Sequence, residues 1–330
     1  MNITEYFRSN NVDAESIELI VTIPTYKRPQ QLKLTLQSLV NQTIDKKFAV
    51  IVMDNHEGAE GAQSAKSFMT SADLNGADLN GADLNGIVIL AHDRGNCHAY
   101  NAGWKTALLE FKNFRYLAVI DDDEVADPRW LEELVNTAEI FGTDLVGGPQ
   151  IQQFKAEAHN VWKRHPVFLP HYERTEPVPI LYSSGNVLIS RHVLEHMPSP
   201  HLDPMFNFIG GGDSDFYSRC KREGFTFAWC NSAQVLEDVP SQRATFKWVN
   251  ARSLRNGSIS SIIDTKRSRN RLKTLAKSLV LLGISPFRSA ISAIKNRSIV
   301  IGLYHVQVAI GRLLAEIGVI NEQYRNPENK

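Results

Sequence analysis

Apolar runs and helical stretches alternate through the first 150 residues, and this alternation restricts the chain to few architectures. Residues 17–23, 48–53, 87–90 and 116–120 are short runs rich in Ile, Leu and Val and read as buried strands. Between the first two, Pro29 suits the first turn of a helix, where its missing N–H costs nothing. Leu32, Leu36, Leu39 and Val40 then recur on one helical face. Residues 99–111 read as another helix, and Asp127 followed by Pro128 as the cap and first turn of a third. Strands alternating with helices predict an α/β fold, a mainly parallel sheet flanked by helices. Such sheets bind ligands beyond the carboxyl ends of their strands. Asp54, Asp93 and Asp121 each follow a strand and fall at that edge.

Further along, residues 186–190 and 225–230 read as strands and 213–223 as a helix closed by Gly224. Residues 165–179 carry four prolines and read as loop, and 241–256 as a helix bearing Arg243, Lys247, Arg252 and Arg255. Ala-Asp-Leu-Asn-Gly occurs three times over residues 72–86, too few copies for a solenoid, so a surface loop is expected. From residue 266 on, Leu272, Leu275, Leu279 and Leu282 recur at helical spacing, and a further helix is expected over 298–317.

The charges balance overall, 36 basic against 36 acidic, but not locally. Residues 266–330 hold 12 Lys/Arg and 3 Asp/Glu, so an acidic body precedes a basic tail. Basic amphipathic helices suit an anionic membrane surface. A helical hairpin packed on the body, or a homodimer contact, accounts for the same pattern. No unbroken run of about 18 apolar residues occurs, so no membrane-spanning helix is expected. The start lacks the apolar core of a signal peptide, and the cysteines, Cys97, Cys220 and Cys230, form no CxxC pair. A cytoplasmic location follows, with the basic tail allowing peripheral contact with the inner face of the plasma membrane.

Four short segments carry the chemistry. Val119-Ile120-Asp121-Asp122-Asp123-Glu124 places four acids directly after an apolar strand, an arrangement that a hard divalent cation would neutralise. A solvated acidic loop is the plain alternative. Gly210-Gly211-Gly212-Asp213 sets a carboxylate at a helix start, where it can take a proton from a hydroxyl or act only as a cap. Pro24-Thr25-Tyr26-Lys27-Arg28-Pro29 joins the first strand to the first helix, a turn able to hold phosphate or base. Asp54-Asn55 ends the second strand, where a carboxylate can accept the N–H of a uracil, thymine or guanine ring.

In this order the segments resemble the family 2 glycosyltransferases, inverting enzymes with the GT-A fold, from about residue 18 to 257. Gly95 with Asn101-Ala102-Gly103 is similar to the family's G-x5-N-x-G stretch, with Tyr100 where arginine is usual. Asp121-Asp122-Asp123 is similar to its D-x-D motif. Val239-Pro240, Arg243, Trp248 and Arg252 resemble the branch that builds succinoglycan-like bacterial exopolysaccharides. The resemblance implies a catalytic GT-A domain over 1–257, with a nucleotide-binding half at 17–150 and an acceptor half at 151–257, and a helical region over 258–330. It implies Pro24, Thr25, Tyr26, Arg28, Asp54, Asn101, Asp121 and Asp122 as nucleotide-sugar contacts and Asp213 as catalytic base. It also implies Asp123 as the ligand of Mg²⁺ or Mn²⁺, with Glu237 standing where relatives carry a metal-binding histidine. Gly212 departs from the glutamate that usually precedes the base. The expected reaction is metal-dependent, inverting transfer of a sugar from a nucleotide-diphosphate sugar, UDP-sugar foremost, to a glycan acceptor, free or lipid-linked. Nucleic acid is not among the expected partners. A non-catalytic sugar-nucleotide-binding scaffold and a nucleotidyltransferase are the alternatives. The second would want a glycine-rich first loop, which 24–29 lacks.

Overall fold

The computed structural model describes residues 2–10, 13–70, 84–320, 322 and 325. The chain forms two compact units. The first comprises residues 1–151, 170–207 and 212–237, and the second 152–169, 208–211 and 238–330. Most of the expected Ala-Asp-Leu-Asn-Gly loop lies outside the described residues. Residue 257, expected at a domain boundary, lies inside a continuous helix, Phe246–Ser268.

The first unit is built on a nine-stranded sheet. Its strands are β1 (Ile3–Arg8), β2 (Leu19–Thr25), β3 (Phe48–Asp54), β4 (Gly86–Ala91), β5 (Tyr116–Ile120), β7 (Leu145–Gly147), β9 (Glu176–Val178), β10 (Asn186–Ser190) and β11 (Phe227–Trp229). The order is β1-β4-β3-β2-β5-β10-β7-β11-β9. β4, β3, β2 and β5 run parallel, as expected of the alternating sequence. Beyond β5 the sheet is mixed, because β10 enters antiparallel between β5 and β7. β1 and β9 close the edges, each antiparallel to its neighbour. Strand β6 (Glu124–Ala126) pairs antiparallel with β12 (Val235–Val239), setting Glu124 opposite Glu237. β8 (Gln150–Phe154) runs out of the first unit into the second.

Helices α1 (Pro29–Val40), α2 (Glu60–Thr70), α3 (Asn96–Glu110), α4 (Trp130–Phe141), α6 (Arg191–His196) and α7 (Gly212–Arg222) belong to this unit. Pro29 opens α1, and Leu32, Leu36 and Leu39 bury its inner face against Val21, Ile23, Val50 and Val52. Every residue of β2 is buried, as a strand covered on both faces requires. Asp127 does not cap α4. Its carboxylate accepts from the Arg129 amide at 2.9 Å, and the helix begins at Trp130, because residues 127–130 first form a turn closed by the Trp130 amide on the Asp127 carbonyl at 2.9 Å.

The second unit holds α5 (Asn160–Lys163), α8 (Phe246–Ser268), α9 (Arg271–Asn296) and α10 (Ile299–Glu316). A small aromatic core stacks Phe168 on Trp248, centroids 5.6 Å apart, beside Val239 and Val249. α8 and α10 approach so closely that a Cβ on Gly311 would lie 1.9 Å from the Leu254 carbonyl oxygen. Contrary to the sequence expectation, α9 and α10 are long and apolar enough, by length and composition alone, to cross a membrane. Lys, Thr, Ser, Gly and Arg in α9, and Gly, His, Gln and Arg in α10, break any continuous apolar run.

Candidate active site

The carboxyl ends of the parallel strands carry the polar residues that the sequence singles out. β5 ends at Ile120, and the following turn folds Asp122 back onto the β2–α1 connection. Thr25 Oγ1 donates to Asp122 Oδ2 at 2.8 Å, and Arg28 Nη1 donates to Asp122 Oδ1 at 3.0 Å and Asp123 Oδ2 at 2.6 Å. Thr35 Oγ1 donates to the carbonyls of Asp122 and Glu124. Residues nearly 100 positions apart are thus tied into one turn, with Pro24 buried in β2 behind it. Asp122 is buried and bound through both oxygens, while Asp121 and Asp123 remain partly exposed.

Asp121 and Glu124 belong to a second network. The Tyr100 hydroxyl donates to Asp121 Oδ1, and the Asp121 amide donates to Glu124 Oε2 at 2.9 Å. Gln150 Nε2 donates to Glu124 Oε1, and Ser183 Oγ donates to Gln150 Oε1 at 2.5 Å. Tyr217 completes the chain by donating to the Ser183 carbonyl at 2.9 Å. Sequence reading noticed Tyr100 only as a departure and missed Gln150, Ser183 and Tyr217. The Ser183-Ser184-Gly185-Asn186 turn before a strand was the available signal.

The electrostatics are those of acids crowded out of water. Burial, then the Asp123 charge, pushes Asp121 up to about 7, although the Tyr100 hydroxyl opposes the shift. Burial raises Asp122 to about 6 against the pull of Arg28 and Thr25. Glu124 stands well above the usual carboxylate range through burial and the charges of Asp121 and Glu237. Arg28 therefore leaves this edge short of positive charge. Among the described residues, no three His, Cys, Asp or Glu side chains converge as a ready-made metal cage. A cation here would complete its shell with oxygens from ligand and water, as Mg²⁺ does.

Asp54 is buried at the end of β3, where its oxygens accept from the amides of His56 at 2.9 Å and Ala62 at 2.8 Å. Burial raises its carboxyl while those amides pull the other way. Asn55 donates to the carbonyls of Ala91 and Asp93 and accepts from the Gly95 amide. Asn101 clamps the Leu202 backbone, donating to its carbonyl at 2.7 Å and accepting from its amide at 2.9 Å. Asp54, Asn101 and Asp122 thus engage the chain itself. Tyr26 is partly exposed. Its ring meets His56 edge-on at 5.2 Å, and the Arg94 guanidinium lies 5.9 Å from the ring centre.

Asp213 sits in the first turn of α7, partly exposed, and accepts from the Ser214 amide at 2.7 Å. Tyr217 follows one turn later. Burial raises its hydroxyl first, and the charges of Asp213 and Asp121 both add to the effect. The candidate base and the Asp121 edge are therefore both within electrostatic reach of one buried tyrosine. Gly212 also finds its reason here: a Cβ at that position would lie 2.7 Å from Cys97 Sγ. Cys97 is buried, and its thiol is raised by burial and by the charges of Asp213, Asp203 and Asp215, which keeps it protonated. Arg243 and Arg252 belong to the second unit, with Arg243 lying 5.9 Å over the Trp248 ring.

Comparison with known proteins shows the family and the fold. The family model described as glycosyl transferase family 2 matches residues 20–197. The succinoglycan biosynthesis protein ExoM of Rhizobium meliloti (strain 1021) is 27% identical over 248 residues, 74% of each chain. A mannosyltransferase from Pyrobaculum calidifontis, solved with GDP-Man and Mn²⁺, superposes with a TM-score of 0.56 at 15% identity, covering 90% of this chain and 87% of that one. The S. aureus TarS fragment 1–349, solved with UDP, gives a TM-score of 0.49 at 11% identity, covering 91% of this chain and 90% of that one. The fold is GT-A-like, a large mixed sheet flanked by helices with a helical C-terminal region.

Proposed function

The chain belongs to glycosyl transferase family 2 and is a glycosyltransferase, and we propose that it moves a sugar from a nucleotide-diphosphate sugar to a saccharide acceptor with inversion. The observation that carries this reading is the acid edge at 121–124, held by Arg28 and Tyr100, together with a carboxylate, Asp213, in the first turn of α7. UDP-sugar is the foremost donor, and exopolysaccharide assembly the process, in keeping with the relation to a succinoglycan biosynthesis protein. The acceptor is a growing glycan, free or lipid-linked.

Tyr26 and Asp121, both partly exposed, face the donor, with Tyr26 and His56 offering an aromatic edge for the base, while buried Thr25 holds Asp122 beneath them. Pro24, Arg28, Asp54, Asn101 and Asp122 set the turns that support those contacts. A divalent cation, Mg²⁺ or Mn²⁺, fits an edge whose acids stay protonated above their usual range for want of positive charge. Asp123 would hold it, with Glu237 across from Glu124 as a second carboxylate. When bound, it supplies charge against the departing diphosphate.

The Asp213 carboxylate accepts the proton of the acceptor hydroxyl, whose oxygen forms the new bond to the anomeric carbon. The bond from that carbon to the diphosphate oxygen breaks in the same displacement, which inverts the centre. The N-terminal turn of α7 favours the ionised form of Asp213 that this step needs. Cys97, Cys220 and Cys230 are free and buried, in keeping with work in the reducing cytoplasm.

Asp213→Asn tests the assignment. It should retain donor affinity and lose transfer by at least about 100-fold, the scale of general-base contributions. Transfer at the wild-type rate in Asp213→Asn contradicts it.

A further inference from the structure

Helix α9 is built inside out. The residues it buries are small and polar: Thr274, Ser278 and Ser285. The residues it exposes are large and apolar: Leu272 is 78% exposed, Phe287 75%, Ile291 67% and Ile294 78%, with Leu279 and Val280 beside them. A surface helix of a water-soluble protein shows the reverse arrangement. The polar groups are spent inside the unit. Buried Arg312 donates to Ser278 Oγ at 3.2 Å, Ser260 Oγ at 2.7 Å and Asp264 Oδ2 at 2.9 Å, and Lys277 donates to Asp264 Oδ2 at 2.6 Å. Helices that pack through small and hydrogen-bonding residues and turn aliphatic ones outward are suited to an apolar surrounding.

The charge pattern selects the occupant. α9 carries Arg271, Lys273, Lys277, Arg288 and Lys295 and no Asp or Glu. At 100° per residue, Lys273, Lys277, Arg288 and Lys295 fall within an arc of about 60° along one edge of the exposed apolar face. An anionic lipid surface satisfies both halves of that face. A second copy seated on the same face would bring two basic edges together, and α9 offers no carboxylate to pair them. α9 is long enough to cross, but Lys277, Arg288 and Lys295 leave no uncharged stretch that would span a hydrocarbon core of about 30 Å, which favours a helix lying in the interface over one that crosses it.

We propose that α9 is a membrane-docking helix that embeds Leu272, Leu279, Phe287, Ile291 and Ile294 in the acyl layer of an anionic bilayer while Lys273, Arg288 and Lys295 meet the headgroup phosphates. The proposal does not rest on the transfer chemistry, and none of these residues belongs to the candidate active site.

The test is sedimentation of the full chain with vesicles of phosphatidylcholine alone and of phosphatidylcholine with phosphatidylglycerol at roughly 3:1. The wild type should bind the anionic vesicles and lose affinity as salt rises. Phe287→Ser with Ile291→Ser should weaken binding at least about tenfold, since both side chains lose apolar burial. Lys273→Gln with Lys295→Gln should cut the preference for anionic over neutral vesicles about fivefold or more. Because all four positions are exposed, these variants should keep the wild-type circular dichroism spectrum and melting point. In Phe287→Trp, emission should shift to the blue on addition of anionic vesicles. Vesicle binding equal in wild type and both double variants overturns the proposal, as does no binding at all. A dimer in sedimentation equilibrium that dissociates in Phe287→Ser/Ile291→Ser, without vesicle binding, would assign the face to a second copy instead.

Discussion

Arg28→Met separates the contribution of charge from that of packing at the acid edge. The guanidinium bridges Asp122 at 3.0 Å and Asp123 at 2.6 Å, and methionine keeps most of the stem while removing the cation. Asp122 stands at about 6 with Arg28 in place. Loss of a cation at such range typically raises a carboxyl by about 1–2 further units. The sign follows from linkage. A carboxyl raised in the folded state holds its proton there, so stability falls as pH climbs above the unfolded value and through the folded one. At pH 5 Asp122 is mainly protonated with or without Arg28, and the substitution should cost little through this residue. At pH 8 the variant keeps a costly buried proton or an unpaired buried charge, for about 1–2 kcal/mol at 1.36 kcal/mol per unit. For a chain of this size that corresponds to a melting point lower by roughly 1.5–3 °C. Differential scanning calorimetry in metal-free buffer at pH 5 and pH 8 measures the contrast. Equal losses at both pH values, or a larger loss at pH 5, would refute the electrostatic reasoning.

Three further outcomes follow from the same geometry. Gly212→Glu should destabilise by about 1–3 kcal/mol because its Cβ meets Cys97 Sγ at 2.7 Å, and Cys97→Ala in the same chain should recover most of the loss in denaturant melts. Failure of that rescue would place the clash elsewhere. Gly311→Ala should lower stability by at least about 2 kcal/mol, since its Cβ would lie 1.9 Å from the Leu254 carbonyl oxygen, and an unchanged urea midpoint would contradict the close packing of α8 on α10. His165 is pushed down to about 4 by burial, so between pH 6.5 and 4 the unfolded chain binds a proton that the folded chain refuses. The stability gap between wild type and His165→Gln should therefore narrow as pH falls through that window, and a gap independent of pH would count against a neutral, buried His165.

What the sequence made legible is what local physics decides. Four apolar runs of the first 150 residues became β2, β3, β4 and β5, and Pro29 opened α1, because burial and the proline ring act within a few residues. The orientation of β10 was not legible. An apolar run such as Asn186–Ser190 fits a parallel or an antiparallel neighbour equally well, and the choice is made by the chain between β8 and β10. The acid run after β5 was evident, but its partition was not. Only tertiary contact shows that Asp122 is spent on Thr25 and Arg28 while Asp121 faces Tyr100. The start of α8 was misplaced at 241 because the cap is Thr245, whose hydroxyl accepts from the Trp248 amide, and not a residue upstream. Periodicity revealed that α9 has two faces, yet it could not say that the serines would turn inward. That choice depended on Arg312 and Asp264, contributed by other helices.

Isothermal titration of UDP into the metal-free protein, with and without Mn²⁺, and into Asp123→Ala asks whether the acid edge after β5 holds a metal against a nucleoside diphosphate. GDP, TDP and CDP run in parallel identify the base. One nucleoside diphosphate, UDP foremost, should bind the wild type at least about tenfold more tightly with Mn²⁺, and Asp123→Ala should lose this gain. Binding that ignores Mn²⁺, or a full metal effect in Asp123→Ala, would contradict it.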